Sequence, residues 1–364
     1  MSEENNTVKL PEPGSLIVSS SPHLHENSSI SKIMLQVLLC LLPAVLAAVW
    51  FFGLPALKVM VYCVAFCMLL EYLWCRLMKQ KSTLCDFSAA VTGLILALNL
   101  PSHSQWWLCA VGSFVAIIIA KQVFGGLGQN PFNPAAVGRV ALLIGFTGPM
   151  TTQWVAPTPG AFVGAFDAVT TATPLTLAKA GAFQATTSAT PLSVAKNCAE
   201  NVDPFAALQT ADSYWNYFIG NMGGSLGETS ALAILIGAIG LLAFRLIRWE
   251  IPVAVLGTMA IFTWIVHTTS PSTTPGPLFH LLTGGAMIGA FFMATDMVTS
   301  PLTRRGCVIF GAGIGIITCV IRIWGGFPEG MSFAIVIMNA LVPLIDRFCF
   351  KRPFGWTHAS GGAK

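Results

Sequence analysis

Apolar residues run in blocks along this chain, interrupted at short intervals by glycine, proline and small clusters of charge. Blocks at residues 33–52, 56–75, 87–100, 106–124 and 137–146 come first, and blocks at 229–244, 251–267, 278–295, 307–324 and 331–348 follow. A helix of roughly 20 apolar residues crosses a hydrocarbon core about 30 Å thick, and most blocks approach that length. A long segment with few apolar clusters, 150–228, parts the two sets. The pattern predicts an all-α polytopic membrane protein with about ten transmembrane helices. Its divisions are an N-terminal segment (1–30), a first five-helix repeat (31–149), a loop region (150–228), a second five-helix repeat (229–350) and a tail (351–364).

Composition agrees, since 54% of the residues are hydrophobic and 9% charged, against about a quarter charged in a soluble protein. The net charge of +4 raises the question of a nucleic-acid partner. The basic residues lie in short clusters between apolar blocks, however, which excludes a nucleic-acid surface and reads as topology signals. Arg76, Lys79 and Lys81 fall between spans two and three, and Lys121 and Arg139 between four and five. Arg245 and Arg248 fall between six and seven, Arg304 and Arg305 after eight, and Arg347, Lys351 and Arg352 after ten. The alternate loops hold only Lys58 and, at an edge, Arg322. Both termini are therefore expected to be cytoplasmic, with 150–228 on the opposite face. The polar start of the chain lacks the layout of a cleavable signal, so the first helix is expected to be retained. Five of the ten cysteines (Cys40, Cys63, Cys67, Cys109, Cys319) sit inside apolar blocks as small hydrophobes. No CxxC occurs, and no metal site is expected.

Two short similarities relate the halves. Val123-Phe124-Gly125-Gly126 closes span four and Ile323-Trp324-Gly325-Gly326 closes span nine, while Thr92-Gly93 in span three has a counterpart in Thr283-Gly284 of span eight. With five spans per unit the repeats are inverted, an arrangement that places sites near the midplane, where broken helices line a cavity. The bland alternative is that Gly-Gly pairs merely end helices.

Between spans four and five, residues 125–138 pack four glycines, Asn130, Pro131, Asn133 and Pro134. No lipid-facing helix tolerates that composition. The apolar run after it, 137–146, would rise only about 15 Å as helix, half a membrane. A re-entrant or broken element lining a polar site is expected, in which Asn130 and Asn133 can donate and accept. Asparagine also serves plainly as a turn and cap former. Asp296, among the hydroxyls of Thr295, Thr299 and Ser300, and Glu228, after a Gly-rich turn, are candidate ion-pathway residues because intramembrane acids are costly. A capping role suits Glu228 as well. Glu71 is read as interfacial, near Arg76, and His267 and His280 as solvated flanks of a polar loop.

The run 121–139, with its core Gly126-Leu-Gly-Gln-Asn-Pro-Phe-Asn-Pro-Ala135, resembles the family that holds the D subunits of Rnf electron-transport complexes and the B subunit of the sodium-pumping NADH:quinone oxidoreductase. Ser20-Ser21-Pro22-His23, Gly227-Glu228-Thr229-Ser230, the stretch 291–296 and Gly325-Gly326-Phe327-Pro328 match it too. The resemblance implies a membrane complex in the bacterial inner membrane that passes electrons between ferredoxin and NAD while moving sodium or protons. It implies FMN joined through its phosphate to a threonine in the pattern Asp-x-x-Ser/Thr-x-Ala-Thr. Asp167, Thr170, Ala172 and Thr173 supply that pattern, and Pro174 holds Thr173 out of the helical region. Thr190 ends a similar stretch, but Gln184 stands at the aspartate position. Non-covalent riboflavin is also implied, and Asn130 and Asn133 are its expected place, since they match the donors and acceptors of a flavin edge. The implied partners are iron–sulfur and flavin subunits of the complex, membrane lipid, and a flavin transferase for maturation. No acid–base or nucleophile set is expected, because the redox chemistry belongs to the cofactor. The competing reading is a carrier that moves a small solute between inverted repeats; it accounts for broken helices but not for Thr173.

Overall fold

A computed structural model describes residues 29–80, 83–151, 154–155, 157, 159–160, 210–270, 274–327 and 329–349. Asp167, Thr170, Ala172, Thr173 and Thr190 lie outside the described residues, as does the 20–23 motif.

The described elements are helical, and their order follows the apolar blocks. Helix α1 (Ile30–Phe52) starts at Ser29, whose side chain accepts the Lys32 N–H, and stops at Gly53, where φ is 67°. That one residue turns the chain into α2 (Leu54–Leu77), which has Pro55 in its first turn. With 23 and 24 residues, these helices run about 35 Å, a full crossing. Three more are long and apolar enough to cross: α9 (Glu250–Thr269), α12 (Arg304–Trp324) and α13 (Met331–Phe348). Large apolar side chains stand exposed on the outward faces of these long helices, among them Leu39, Leu46, Trp50, Ile261 and Trp264. Lipid makes such a surface stable.

The remaining apolar elements are shorter. Helix α3 (Ser88–Leu98) has 11 residues, α5 (Pro134–Gly145) has 12 and α8 (Ala231–Ala243) has 13. Helix α4 (Trp106–Phe114) continues as a π segment, Val115–Gln122. Two small helices, α6 (Thr147–Thr151) and α7 (Ala211–Ile219), flank the long loop. The predicted block 278–295 is not one span. It divides into α10 (Pro277–Leu282), a break, α11 (Ala286–Ile288) and a second π segment, Gly289–Met293. The break is made by Gly284 and Gly285, at φ 71° and 65°, where a side chain would be strained.

The core lies where the halves meet. Helix α1 packs along α8, and α5 along α13, while α2 holds α3 and α4 and α9 holds α12. Contact between α9 and α12 is close because residue 311 is glycine. A Cβ there would sit 2.7 Å from the Ala254 methyl and 2.9 Å from the Ile251 carbonyl oxygen. Small residues at such crossings suit membranes, where packing rather than water exclusion holds helices together.

Two sequence expectations are corrected. Glu71 is not interfacial and does not pair with Arg76, which donates to the Tyr72 hydroxyl instead. It is buried against Lys121. His280 is buried too, with Nε2 2.7 Å from the Thr274 hydroxyl, and Nδ1 of His267 lies 2.8 Å from the Thr274 carbonyl oxygen. Thr274 thus gives each ring a partner.

Candidate functional site

A cavity of about 850 Å³, its open mouth included, lies at the end of the bundle where α1 and α3 begin and α8 ends. Its walls are apolar: Ile33 and Val37 of α1, Val91 and Ile95 of α3, and Phe291 and Phe292 of the second π segment. Its polar lining is Ser88, Thr92, Lys121, Asn130, Asn133, Thr295 and Asp296. Both π segments contribute to it, through Lys121 and through the two phenylalanines. π-Bulges recur at functional sites, and here they turn these side chains into the cavity. Three predicted residues from two separate parts of the sequence, Asn130 and Asn133 in one and Asp296 in the other, thus line one cavity.

Each is held differently. Pro134 opens α5, and the Asn133 side chain caps it by accepting the Ala136 N–H at 3.2 Å. The other end of that amide donates to the Met293 carbonyl at 2.9 Å. The Asn133 backbone N–H is taken by Asn339 of α13 at 2.9 Å, once the Asn339 amide is turned to satisfy both its ends. Asn130 donates to the Phe132 carbonyl at 3.0 Å, and its buried Oδ1 has no partner among the described residues. An unpaired buried acceptor is costly, and a ligand N–H in the cavity is what would satisfy it. Asp296 accepts from the Val298 N–H at 3.4 Å and the Thr299 hydroxyl at 3.2 Å, closing the turn after the π segment.

Glu228 lies apart from this cavity. It sits ahead of the α8 cap, which is Ser230, and serves the break beside α10. Its Oε1 accepts the Gly284 N–H at 2.5 Å, and its Oε2 the N–H and hydroxyl of Ser225 at 3.3 Å. Arg322 completes the same break. It donates to the carbonyls of His280 (2.6 Å), Thr283 (3.0 Å) and Gly284 (2.6 Å). One carboxylate and one guanidinium therefore satisfy backbone that the break after α10 leaves open, as a discontinuity at membrane depth requires.

A buried polar string runs between the two regions. Asn99 donates to the Met293 sulfur at 3.4 Å and accepts from Arg139 at 2.6 Å, and Arg139 also pairs with Glu329. Sequence reasoning missed Lys121, Arg139 and Arg322 as site residues. Each was counted as a topology charge at a span edge, yet the three are 2–4% exposed. The signal available was position, for each stands within or against an apolar block beside a glycine-rich turn.

The fold and this cavity define a polytopic membrane protein built around broken helices and buried charge. Residues 17–355 match the NQR2, RnfD, RnfE family, and the chain belongs to it. It is 41% identical over 93% of its length, and 96% of the relative's, to the D subunit of the proton-translocating ferredoxin:NAD(+) oxidoreductase complex of Clostridium ljungdahlii. It is 42% identical to the D subunit of the Na(+)-translocating ferredoxin:NAD(+) oxidoreductase complex of Acetobacterium woodii, over 96% of this chain and 98% of that one. Identity to the D subunit of the ion-translocating oxidoreductase complex of Stutzerimonas stutzeri is 43%, over 90% and 93%.

Proposed function

We propose that the chain is the flavin-carrying D subunit of an ion-translocating ferredoxin:NAD oxidoreductase of the Rnf type, in the bacterial cytoplasmic membrane with both termini cytoplasmic. The observation that carries this is likeness, over nine-tenths or more of both chains, to D subunits of ion-translocating oxidoreductase complexes, two of them named as ferredoxin:NAD(+) oxidoreductases. Relatives named for protons and for sodium are equally alike, at 41% and 42%, so the proposal takes a monovalent cation as cargo. Its partners are the iron–sulfur and flavin subunits of the complex, and a flavin transferase matures it.

Two flavins are proposed. FMN is carried covalently on Thr173, within the pattern of Asp167, Thr170 and Ala172, on the non-cytoplasmic face. Riboflavin, non-covalent, fits the cavity by its chemistry. The apolar walls with Phe291 and Phe292 suit a ring system, and the unpaired Asn130 oxygen suits an edge N–H. Asn133, already engaged at both ends, holds the cavity wall as well as offering its remaining hydrogen and lone pair. Bound flavin would supply one- and two-electron transfer. The protein's part is to seat it, exclude water and set the charge around it.

The ten helices are proposed to form two inverted five-helix repeats. Supporting this, helices equivalent under the repeat lie side by side, α1 with α8 and α5 with α13. Thr92 and Thr283 each bond the carbonyl four residues back, at 2.9 and 2.7 Å. In each half, a buried cation at the end of the fourth span reaches the third, Lys121 to Ser88 and Arg322 to Thr283. Asp296 and Glu228 are assigned to the ion path. The carrier reading accounts for the breaks alone. Reconstituted in liposomes, the complex should couple ferredoxin-dependent NAD reduction to an ion gradient, and omission of this chain should abolish both. Electron flow that continues without it, or solute uptake by this chain alone, would overturn the proposal.

A further inference from the structure

Lys121 is the one cationic side chain, among the described residues, that lines the cavity. Its ammonium donates to both Glu71 oxygens, at 2.9 and 3.0 Å, and to the Ser88 hydroxyl at 2.8 Å, so its three hydrogens are all engaged. Glu71 in turn accepts the Thr83 hydroxyl at 2.6 Å. The pair is 2% and 1% exposed. A buried ion pair stabilises a fold little more than apolar side chains of the same volume would. Its value lies elsewhere. The other buried cations are not equivalent: Arg322 holds neutral carbonyls and can release no acid, and neither Arg139 nor Glu329 lines the cavity. Lys121 alone stands between the cavity and a carboxylate, on a flexible four-carbon stem.

We propose that Lys121 and Glu71 form a redox-linked cation site. Negative charge arriving in the cavity draws the Lys121 ammonium off Glu71, and the freed carboxylate, with the Thr83 hydroxyl beside it, takes up one monovalent cation. The inference rests on the reading that the cavity holds an electron-accepting ring. Charge balances. One electron from the ferredoxin side of the complex enters the cavity, one cation enters at Glu71, and the net charge of the site is unchanged. When that electron leaves toward the acceptor side, Lys121 returns to Glu71 and displaces the cation. Among the described residues, the other ionisable groups facing Glu71 are the thiols of Cys67 and, through Thr83, Cys75, while Asp296 lies on the cavity lining. Neither thiol supplies a compensating positive charge, and Asp296 adds a negative one when ionised, so Lys121 carries the response.

The test is a redox titration of the non-covalent flavin in the purified complex, with its content measured by extraction. One series varies sodium at fixed pH, and the other varies pH at fixed sodium. In the wild type the midpoint should rise by about 59 mV per tenfold increase in the cation taken up with one electron, and the series that responds names the cation. Glu71→Gln and the charge-free double variant Lys121→Met with Glu71→Gln should keep the flavin and lose that response. A response persisting in Glu71→Gln, or a wild-type midpoint indifferent to both cations, overturns the proposal alone. Absence of non-covalent flavin from the wild-type complex overturns the reading of the cavity together with it.

Discussion

The side-chain amide of Asn133, at the start of α5, donates to the main-chain carbonyl of Met293 at 2.9 Å and so ties the first half of the chain to the π segment of the second. The same side chain caps α5. These two roles are separable. Asn133→Ser keeps a capping oxygen and loses the tie, whereas Asn133→Ala loses both. Removing a cap costs about 1 kcal/mol and a buried hydrogen bond about another. Thermal unfolding in detergent should therefore place Asn133→Ser about 1 kcal/mol and Asn133→Ala about 2 kcal/mol below the wild type. Equal losses would assign the whole effect to the link with Met293.

Asn130 offers the cavity an acceptor that the described residues leave unpaired. Asn130→Ala removes that acceptor together with a bond to Phe132, which lies on the same short turn. The complex should assemble and retain its covalent flavin while extractable riboflavin falls at least several-fold. Riboflavin extracted at wild-type stoichiometry would show that this residue does not hold it.

At the break after α10, Arg322 satisfies three buried carbonyls, each costly when left unpaired, at about 1–3 kcal/mol. Arg322→Met should destabilise the protein by at least ~3 kcal/mol, and Arg322→Lys by less, since an ammonium can still reach part of the set. Chemical denaturation of the two variants side by side gives the ranking. A mild Arg322→Met would mean that water replaces the guanidinium.

The two proposed ion-path acids should separate electron flow from pumping. Asp296→Asn keeps an acceptor for Val298 or Thr299, and Glu228→Gln keeps one for Gly284. The local folds should survive, and ferredoxin-dependent NAD reduction should continue. Gradient formation in liposomes should fall several-fold or more in each, and a variant that pumps normally leaves the path.

Much of the fold was legible because lipid imposes a coarse rule on sequence. Every apolar block became helical, the one at 278–295 only in pieces, and α13 kept its predicted bounds, Met331–Phe348. The broken character of residues 125–133 was legible as well, since glycine, proline and asparagine have no place on a lipid-facing helix, while residues 134–138 form the start of α5. The break inside the predicted eighth span was not. Thr283-Gly284-Gly285 is short, apolar residues flank it, and only the positive φ of its glycines reveals the turn. The buried charges were misread for a related reason. Lys121 and Arg139 sit where a topology charge would sit, and sequence position cannot distinguish a cation facing water from one turned inward to a partner 50 or 190 residues away. Glu71 was given the nearest arginine in sequence, and the packing of α2 against α3 and the first π segment gave it Lys121 instead.

Whether this chain carries a flavin on Thr173 is decided by the intact mass and in-gel flavin fluorescence of the denatured protein. Wild type is compared with Thr173→Ala and Thr190→Ala, each expressed with the flavin transferase. An adduct with the mass of FMN, less water, is expected on the wild type and on Thr190→Ala and is expected to be absent from Thr173→Ala. A wild-type chain without an adduct would contradict the flavoprotein assignment and return the carrier reading to first place. An adduct lost only in Thr190→Ala would place the flavin on the other threonine.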